Sequence, residues 1–400
     1  MIHQVQFILS RHVVRRLYPA FATGLLLASP AHAQLGSKVL RPHVGFAFTD
    51  DSNVLGRDSA EIADTARTVT VGVDYVQMLG RQLLTASLAG SRTSFNRLAQ
   101  LDYHGENLAA DWAWQVGNHW HGKAGATRSI SLAPFTDFHN AERNTNTVDR
   151  RYVTANWQYH PDWQLRVELS RYGVAYSLAS QAQFDRTERL GVIGIDYKTR
   201  AGNVLGVQAK STDGHLPNQI PGPDLRANDY RQNQVDLKAT WQLTGITRLD
   251  TVIGMVARTH AGAAGRDFHG PNGRATLNIA VTRATSLTMA VWRETGIFDD
   301  VSTAYSTNRG ASAGLRWIAT SKVMVDASSR REARDFKRSP AFATSPAYKD
   351  MLQSSQIGLT YTPVARFSLQ FVIFNARKQN SAASGEYARH GASFTSRYDF

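Results

Sequence analysis

The chain of 400 residues contains no cysteine. That excludes a disulfide framework, a zinc ribbon, an iron–sulfur cluster, a thiol catalyst and a cysteine-linked lipid anchor. Long apolar runs are missing too. Beyond the N-terminus no stretch approaches the roughly 18–20 uncharged apolar residues that a membrane helix needs. Acidic residues are outnumbered, 32 against 45 basic ones, for a formal net charge of +13. Charged residues make up only 19% and hydrophobic ones 42%, an even mixture that fits neither a bundle of membrane helices nor a charge-rich soluble basic protein. There is no G-x-S-x-G, H-E-x-x-H, Walker A or dinucleotide fingerprint, so nothing in the chain points to an enzyme. Lys and Arg are dispersed, without the patch or module of a nucleic-acid binder. What remains to be explained is the basic excess, the 30 glycines and a 10% share of aromatics.

The first residues read as an export signal. Residues 1–16 hold Arg11, Arg15 and Arg16 and no acid, Leu17–Ala28 is apolar, and Ala31-His32-Ala33 precedes Gln34. A basic region, a short apolar core and A-x-A are the parts of a secretory signal peptide. The alternative, a membrane anchor, fails on length, because twelve apolar residues do not span a bilayer. Cleavage after Ala33 removes three positive charges and leaves residues 34–400 as one exported domain of about +10.

Nearly everything after residue 37 alternates with period two. In Asn233–Leu243 the apolar Val235, Leu237, Ala239, Trp241 and Leu243 share one face, opposite Gln234, Asp236, Lys238, Thr240 and Gln242. Leu165, Val167 and Leu169 repeat the pattern, as do Ala275, Leu277, Ile279 and Val281, and again Phe367, Leu369, Phe371 and Ile373. A strand sends successive side chains to opposite faces, so each segment has one apolar and one hydrophilic surface.

The punctuation between the segments has its own alternation. Tight breaks fall at Leu79-Gly80, Gly117-Asn118, His160-Pro161-Asp162, Ala201-Gly202, Thr244-Gly245, Arg283-Ala284, Thr320-Ser321 and Pro363-Val364. Between them lie longer polar breaks near 50–63, 94–100, 131–146, 175–184, 213–227, 261–268, 297–303, 335–352 and 378–386. The expectation is an all-β fold: a transmembrane antiparallel β-barrel of about 18 strands, with short periplasmic turns and longer extracellular loops. A soluble sandwich, propeller or β-helix is the competing reading, and the chain lacks the repeat signature of the last two. Tyr75, Trp120, Trp157, Tyr159, Trp241, Trp317 and Tyr361 fall beside expected turns on the apolar face, as in an interfacial aromatic girdle. Near the end, Phe394, Tyr398 and Phe400 share one face, an arrangement that resembles the C-terminal assembly signal of bacterial outer-membrane proteins.

If the apolar faces meet lipid, the polar faces line a lumen. Fourteen basic and eight acidic residues are expected to point inward. The bases chosen as lining a translocation path are Lys123, Arg150, Arg166, Lys238, Arg258, Arg274, Arg316, Arg330 and Arg389. Lys198, Lys210, Arg248, Lys322 and Arg397 are the others expected to point inward. A one-residue slip of register would turn every side chain of a strand to the opposite face. A barrel of this size can hold an aqueous channel, and basic residues there favour anions. The alternative is that these bases pair with inward acids and only stiffen the wall. Trp292, Phe374 and Tyr172 are candidates for stacking on sugar rings. His119 and His121 both point inward but have no third ligand, and Asp50-Asp51-Ser52-Asn53 lacks the glycine and glutamate of a calcium loop. No metal, cofactor or catalytic residue is expected.

Phe46-Ala47-Phe48-Thr49-Asp50-Asp51-Ser52-Asn53-Val54-Leu55 resembles the first-strand segment of EpsL-like outer-membrane proteins from exopolysaccharide operons. Leu101-Asp102-Tyr103 before Trp112-Ala113-Trp114, Ala141-Glu142-Arg143-Asn144, Ala155–Trp163 and Tyr197–Asn203 look like the same family. The resemblance implies an outer-membrane location beside polysaccharide synthesis and secretion, in bacteria with exosortase-type sorting systems. On that reading the partners are exopolysaccharide or anionic saccharides, outer-membrane lipid, the barrel assembly machinery and other secretion proteins, with no nucleic acid. A porin-like conduit is the first expectation, a non-conducting docking barrel the second, and an outer-membrane hydrolase the third.

Overall fold

The computed structural model describes residues 38–136, 138–218, 229–260, 267–296, 303–338, 349–380 and 385–400. The expected signal segment 1–33 and parts of six expected loops lie outside the described residues. Among these residues eighteen strands form one antiparallel sheet. The first six are β1 (Lys38–Asp51), β2 (Asp64–Leu79), β3 (Gln82–Phe95), β4 (Tyr103–Val116), β5 (Trp120–Leu132) and β6 (Thr145–His160). Then come β7 (Trp163–Tyr176), β8 (Arg186–Lys198), β9 (Val204–His215), β10 (Tyr230–Thr244), β11 (Thr247–His260) and β12 (Phe268–Ile279). The last are β13 (Thr285–Gly296), β14 (Thr303–Ile318), β15 (Val323–Arg338), β16 (Lys349–Val364), β17 (Phe367–Asn380) and β18 (Tyr387–Asp399).

Each strand pairs with the next along the chain. β1 also pairs with β18, in a register that sets His43 opposite Asp399 and Phe48 opposite Phe394. The sheet is therefore closed, and no row of backbone N–H and C=O groups is left unpaired at an edge. Hydrocarbon tolerates only such a structure when strands do the crossing.

The register keeps every apolar face on the same side. Leu237 lies between Val207 and Ile253, and Phe371 between Leu359 and Phe394. These side chains are exposed, as are Val71, Leu169, Ile193, Val235, Met255 and Ile373. A belt of this extent far exceeds the apolar patches of soluble proteins. Lipid is the solvent that stabilises it, at about 1.5–3 kcal/mol per large aliphatic side chain withdrawn from water.

Seven tight turns fall at the expected places and the eighth just beyond, at Ala365-Arg366 rather than Pro363-Val364, and the longer connections alternate with them. Gly80, between β2 and β3, has φ +60, a left-handed conformation that glycine enters without steric cost. The longest strands, β2, β6, β14, β15 and β16, have 16 residues each. The extra length lies at the long-loop end. Residues up to Arg338 and from Lys349, expected in a loop, continue as a paired hairpin, because polar cross-strand pairs hold it above the apolar belt.

A small apolar core sits at the long-loop end. Val54 and Leu55 (the β1–β2 connection), Leu98 and Leu101 (β3–β4) and Phe135 (β5–β6) pack together, with Ile62, Phe95, Leu132 and Ala141 against them. Asn53 anchors this cap. Its Nδ2 donates to the Arg57 and Ala388 carbonyls at 2.7 and 3.1 Å, and its Oδ1 accepts from Arg57 N at 3.0 Å. The D-D-x-N segment is thus a structural knot that ties the first loop to β18.

Candidate functional site

The inner face is charged, and most of its charges are matched. All nine bases expected on the translocation path stand on the face opposite the exposed apolar one. Of the other expected inward bases, Lys322 departs from expectation, lying in the turn between β14 and β15.

The densest network spans β7 to β11. Asp236 is fully buried and accepts from Lys210 Nζ and Gln208 Nε2, each at 2.7 Å, and from Gln234 Nε2 at 2.5 Å. Gln208 passes the chain on by accepting from an Arg166 guanidinium nitrogen at 2.7 Å. Arg166 and Lys238 share Asp196 at 3.7 and 3.4 Å. Arg150 lies 3.7 Å from Glu168, and Arg248 lies 2.8 Å from Asp250. Acids and bases are interleaved across these strands, and Asp196 is met by bases from both sides, Arg166 of β7 and Lys238 of β10.

A second group centres on Trp292. Its indole Nε1 donates to Glu332 at 2.7 Å, and Arg330 donates to the same carboxylate oxygen at 2.6 Å. The guanidinium carbons of Arg330 and Arg274 lie 4.2 and 4.8 Å from the ring centroid. Arg274 donates to Glu294 at 2.9 Å. The ring lies against Gly310, where a Cβ would stand 2.3 Å from Trp292 Cζ2. Trp292 is only 5% exposed, so it offers no open face to a sugar ring, contrary to the stacking expectation. Phe374 carries Arg389 at 5.6 Å and Tyr172 carries Arg186 at 6.0 Å. Cation–π contacts to the protein's own arginines take the place expected for ligand.

At the closing seam His43, Asp74 and Asp399 hold their ligand atoms within 4.8 Å of one another. Arg397 donates to Asp74 and lies on Asp399, each at 2.7 Å, so one guanidinium bridges the two carboxylates and offsets one of their two charges. Arg316 pairs with Asp326 at 2.8 Å, and Arg389 lies 3.5 Å from Asp51. Arg258 donates to Gln232 at 3.0 Å and lies over the Tyr230 ring at 4.4 Å. Lys123 and Lys198 are different. Among the described residues neither has a carboxylate within 4.0 Å, and Lys198 meets only the Gln158 amide oxygen at 3.5 Å. Both stand near the tight-turn end, where His121 also faces inward.

Several wall residues escaped the sequence reading. Arg334 and Asp350 form a buried two-point ion pair, with Lys378 Nζ 3.8 Å away. Arg186, Glu188, Glu332, Asp51 and Asp399 also face inward. Asp51, Asp350 and Lys378 among them sit in stretches that read as loops, near strand ends where alternation gives the phase poorly. The added acids narrow the basic surplus.

The outer aromatics gather at the tight-turn edge. Trp120 stacks on Trp157 at 5.4 Å, Trp163 meets Tyr197 at 5.0 Å, and Tyr398 meets Phe400 edge-on at 5.1 Å. This is one interfacial girdle, as expected.

No protein-family model matches the chain, and no curated protein matches it. The resemblance to the exopolysaccharide family therefore has no support from a family match. Among solved structures the barrel is similar to OccK1 (OpdK) of Pseudomonas aeruginosa. The two share 10% identity, with 90% of this chain and 99% of that chain covered and a TM-score of 0.51. The structure of Pseudomonas aeruginosa OpdK with vanillate gives 11% identity, the same coverage and a TM-score of 0.50. At such identities the likeness is one of fold. The fold is the closed eighteen-stranded barrel of outer-membrane porins, and with its exposed apolar belt the chain is an outer-membrane barrel.

Proposed function

We propose that the chain is a passive, porin-like conduit across the outer membrane whose lumen favours anionic solutes, acidic saccharides above all. The observation that carries this reading is the inner face itself. It bears carboxylates, guanidinia and amides where a packed barrel would bear aliphatic layers, and the apolar core lies in the loops instead. Charges on such a wall need water or partners beside them, and barrels of 16–18 strands leave room for an aqueous channel. Lys123 and Lys198, without acid partners, set the sign at the tight-turn mouth. The paired bases Arg150, Arg166, Lys238, Arg274, Arg316, Arg330 and Arg389, with Arg258, provide a graded wall along which an anion exchanges partners.

The saccharide assignment rests on the resemblance to exopolysaccharide-operon proteins. OpdK, which shares the fold, is solved with the small carboxylate vanillate, and that supports an anionic cargo more than a polymer. Deletion of the gene, with the polymer assayed by compartment, separates the two. Polymer trapped in the periplasm supports export, and unchanged secretion limits the cargo to small anions. In the same reading residues 1–33 are a signal peptide cleaved after Ala33, which N-terminal sequencing of the membrane form tests. Phe394, Tyr398 and Phe400 are then the signal read by the assembly machinery.

One observation favours a narrower channel or a docking barrel. The β5–β6 loop is held across the mouth by Lys378, whose Nζ donates to the Thr136 carbonyl at 2.9 Å. No residue is assigned a catalytic role.

A further inference from the structure

The outer surface is asymmetric in a way the channel reading does not use. Its tight-turn edge is aromatic, and its long-loop edge is arginine. On three consecutive strands the register sets Arg151 of β6 opposite Arg171 of β7, and Arg171 opposite Arg189 of β8. All three are exposed and lie on the apolar side of their strands. Residues directly opposite in an antiparallel pair have Cβ atoms about 4.5–5.5 Å apart, and like charges there are destabilising. Arg293 and Arg309 repeat the juxtaposition on β13 and β14.

The nearby acids do not relieve the triad. Asp149 is 3.7 Å from Arg128, which also meets Glu106 at 3.7 Å, and Asp213 holds Arg231 at 2.7 Å. Among the described residues, Arg151, Arg171 and Arg189 have no carboxylate within 4.0 Å. Asp213 stands directly opposite Arg189 in the ladder but is taken up by Arg231 on its other side, so three adjacent guanidinia, each able to bind an oxyanion in two-point fashion, are held together by the ladder without an ion-pair partner of their own among the described residues.

Their height identifies what supplies it. The next outward residue toward the tight turns is apolar and exposed on two of the strands, Val153 on β6 and Leu169 on β7; on β8, Gly191 intervenes before the exposed Ile193. Arg151 and the girdle residue Tyr159 are eight positions apart on one strand. That is about 26 Å along the strand at the usual rise and about 20 Å in height at a 40° tilt, close to the roughly 25 Å apolar band of such barrels. The guanidinia therefore stand at headgroup level in the leaflet on the long-loop side, with acyl-chain surface directly beneath. A shallow cleft opens at this point, lined by Arg151, Arg171, Arg186, Gly173 and Thr187 and, on its long-loop side, by Asp149, whose carboxylate lies 3.7 Å from Arg128.

We propose that Arg151, Arg171 and Arg189 form a binding surface for a phosphorylated glycolipid of the outer leaflet, with its phosphates across the guanidinia and its acyl chains on Val153 and Leu169. The surface is separate from the lumen, so the proposal stands or falls independently of conduction.

The test uses the full-length barrel in detergent, with bisphosphorylated lipid A, its dephosphorylated form and inorganic phosphate as probes, and binding read by native mass spectrometry. Lipid A is expected to bind at least tenfold more tightly than the dephosphorylated form and to resist displacement by millimolar inorganic phosphate. The combined substitution Arg151→Gln, Arg171→Gln, Arg189→Gln is expected to lower lipid A affinity at least tenfold, while the triple lysine variant stays within about threefold of the parent. Heat-modifiable gel mobility confirms that each variant is folded. The proposal is overturned if the glutamine variant binds like the parent, if the phosphates make no difference, or if inorganic phosphate displaces the lipid, which marks a free-anion site.

Discussion

Lys378 on β17 donates from Nζ to the Thr136 carbonyl oxygen at 2.9 Å, and so ties the β5–β6 loop to a strand six places round the wall. A contact between points a third of the circumference apart has to run inside the wall, so this loop leans over the opening. Its neighbours follow the same course. His139 donates from Nδ1 to the Leu55 carbonyl oxygen at 3.0 Å and meets the Tyr387 ring edge-on at 6.1 Å. The strap ends on the buried Arg334–Asp350 pair, which holds the Lys378 ammonium from below.

Lys378→Met removes the donor and keeps the side-chain length. Asp350 retains Arg334, so the wall stays paired. The expected outcome is a larger single-channel conductance with more open-channel noise, recorded in planar bilayers. A current trace identical to the parent's shows that the strap does not narrow the path.

Asp236→Ala leaves Lys210 as an uncompensated, half-buried charge and strips both glutamines of their acceptor. Removing one partner of such a buried pair costs about 3–5 kcal/mol. Urea unfolding of the refolded barrel in detergent is expected to show a loss of that order. Asp236→Asn, which keeps one acceptor oxygen, loses less.

Gly310→Ala places a methyl group against the Trp292 ring, which is fixed by Glu332 and by two guanidinia and has nowhere to move. Overpacking of this kind costs about 1–3 kcal/mol. Gly245→Ala is the control, because nothing lies within 4 Å of its Cβ position, and a change within about 0.5 kcal/mol is expected there. Equal effects in the same unfolding assay contradict the close-approach account.

Deletion of Phe400 removes an exposed ring whose backbone N–H donates to Pro42 O at 2.9 Å across the closing seam. The expected result is a smaller folded fraction in the outer membrane, while Phe400→Tyr is close to normal. Normal assembly of the deletion variant counts against the C-terminal signal.

Much of this barrel was legible in the sequence because strand side chains alternate strictly. Once Val235, Leu237 and Trp241 fix the outward phase, Asp236 and Lys238 have no other place to go. Six of the eight tight turns were legible from glycine, proline or asparagine between such runs, and Arg283-Ala284 and Thr320-Ser321 from the break in alternation alone. Three things were not legible. Pairing across strands, as in Trp292 with Glu332, depends on the register of three strands at once. Arg334 and Asp350 lie above the apolar belt, where alternation between hydrophobic and polar residues fades. Arg151, Arg171 and Arg189 lie far apart in the chain, and only the ladder brings them together.

The most direct measurement is the reversal potential of single channels in planar bilayers under a potassium chloride gradient. The account predicts a conducting barrel that prefers chloride to potassium, with the preference reduced or inverted by Lys123→Glu combined with Lys198→Glu, two inner bases that have no carboxylate within 4.0 Å among the described residues. A barrel that passes no ions, or one that prefers cations, contradicts it.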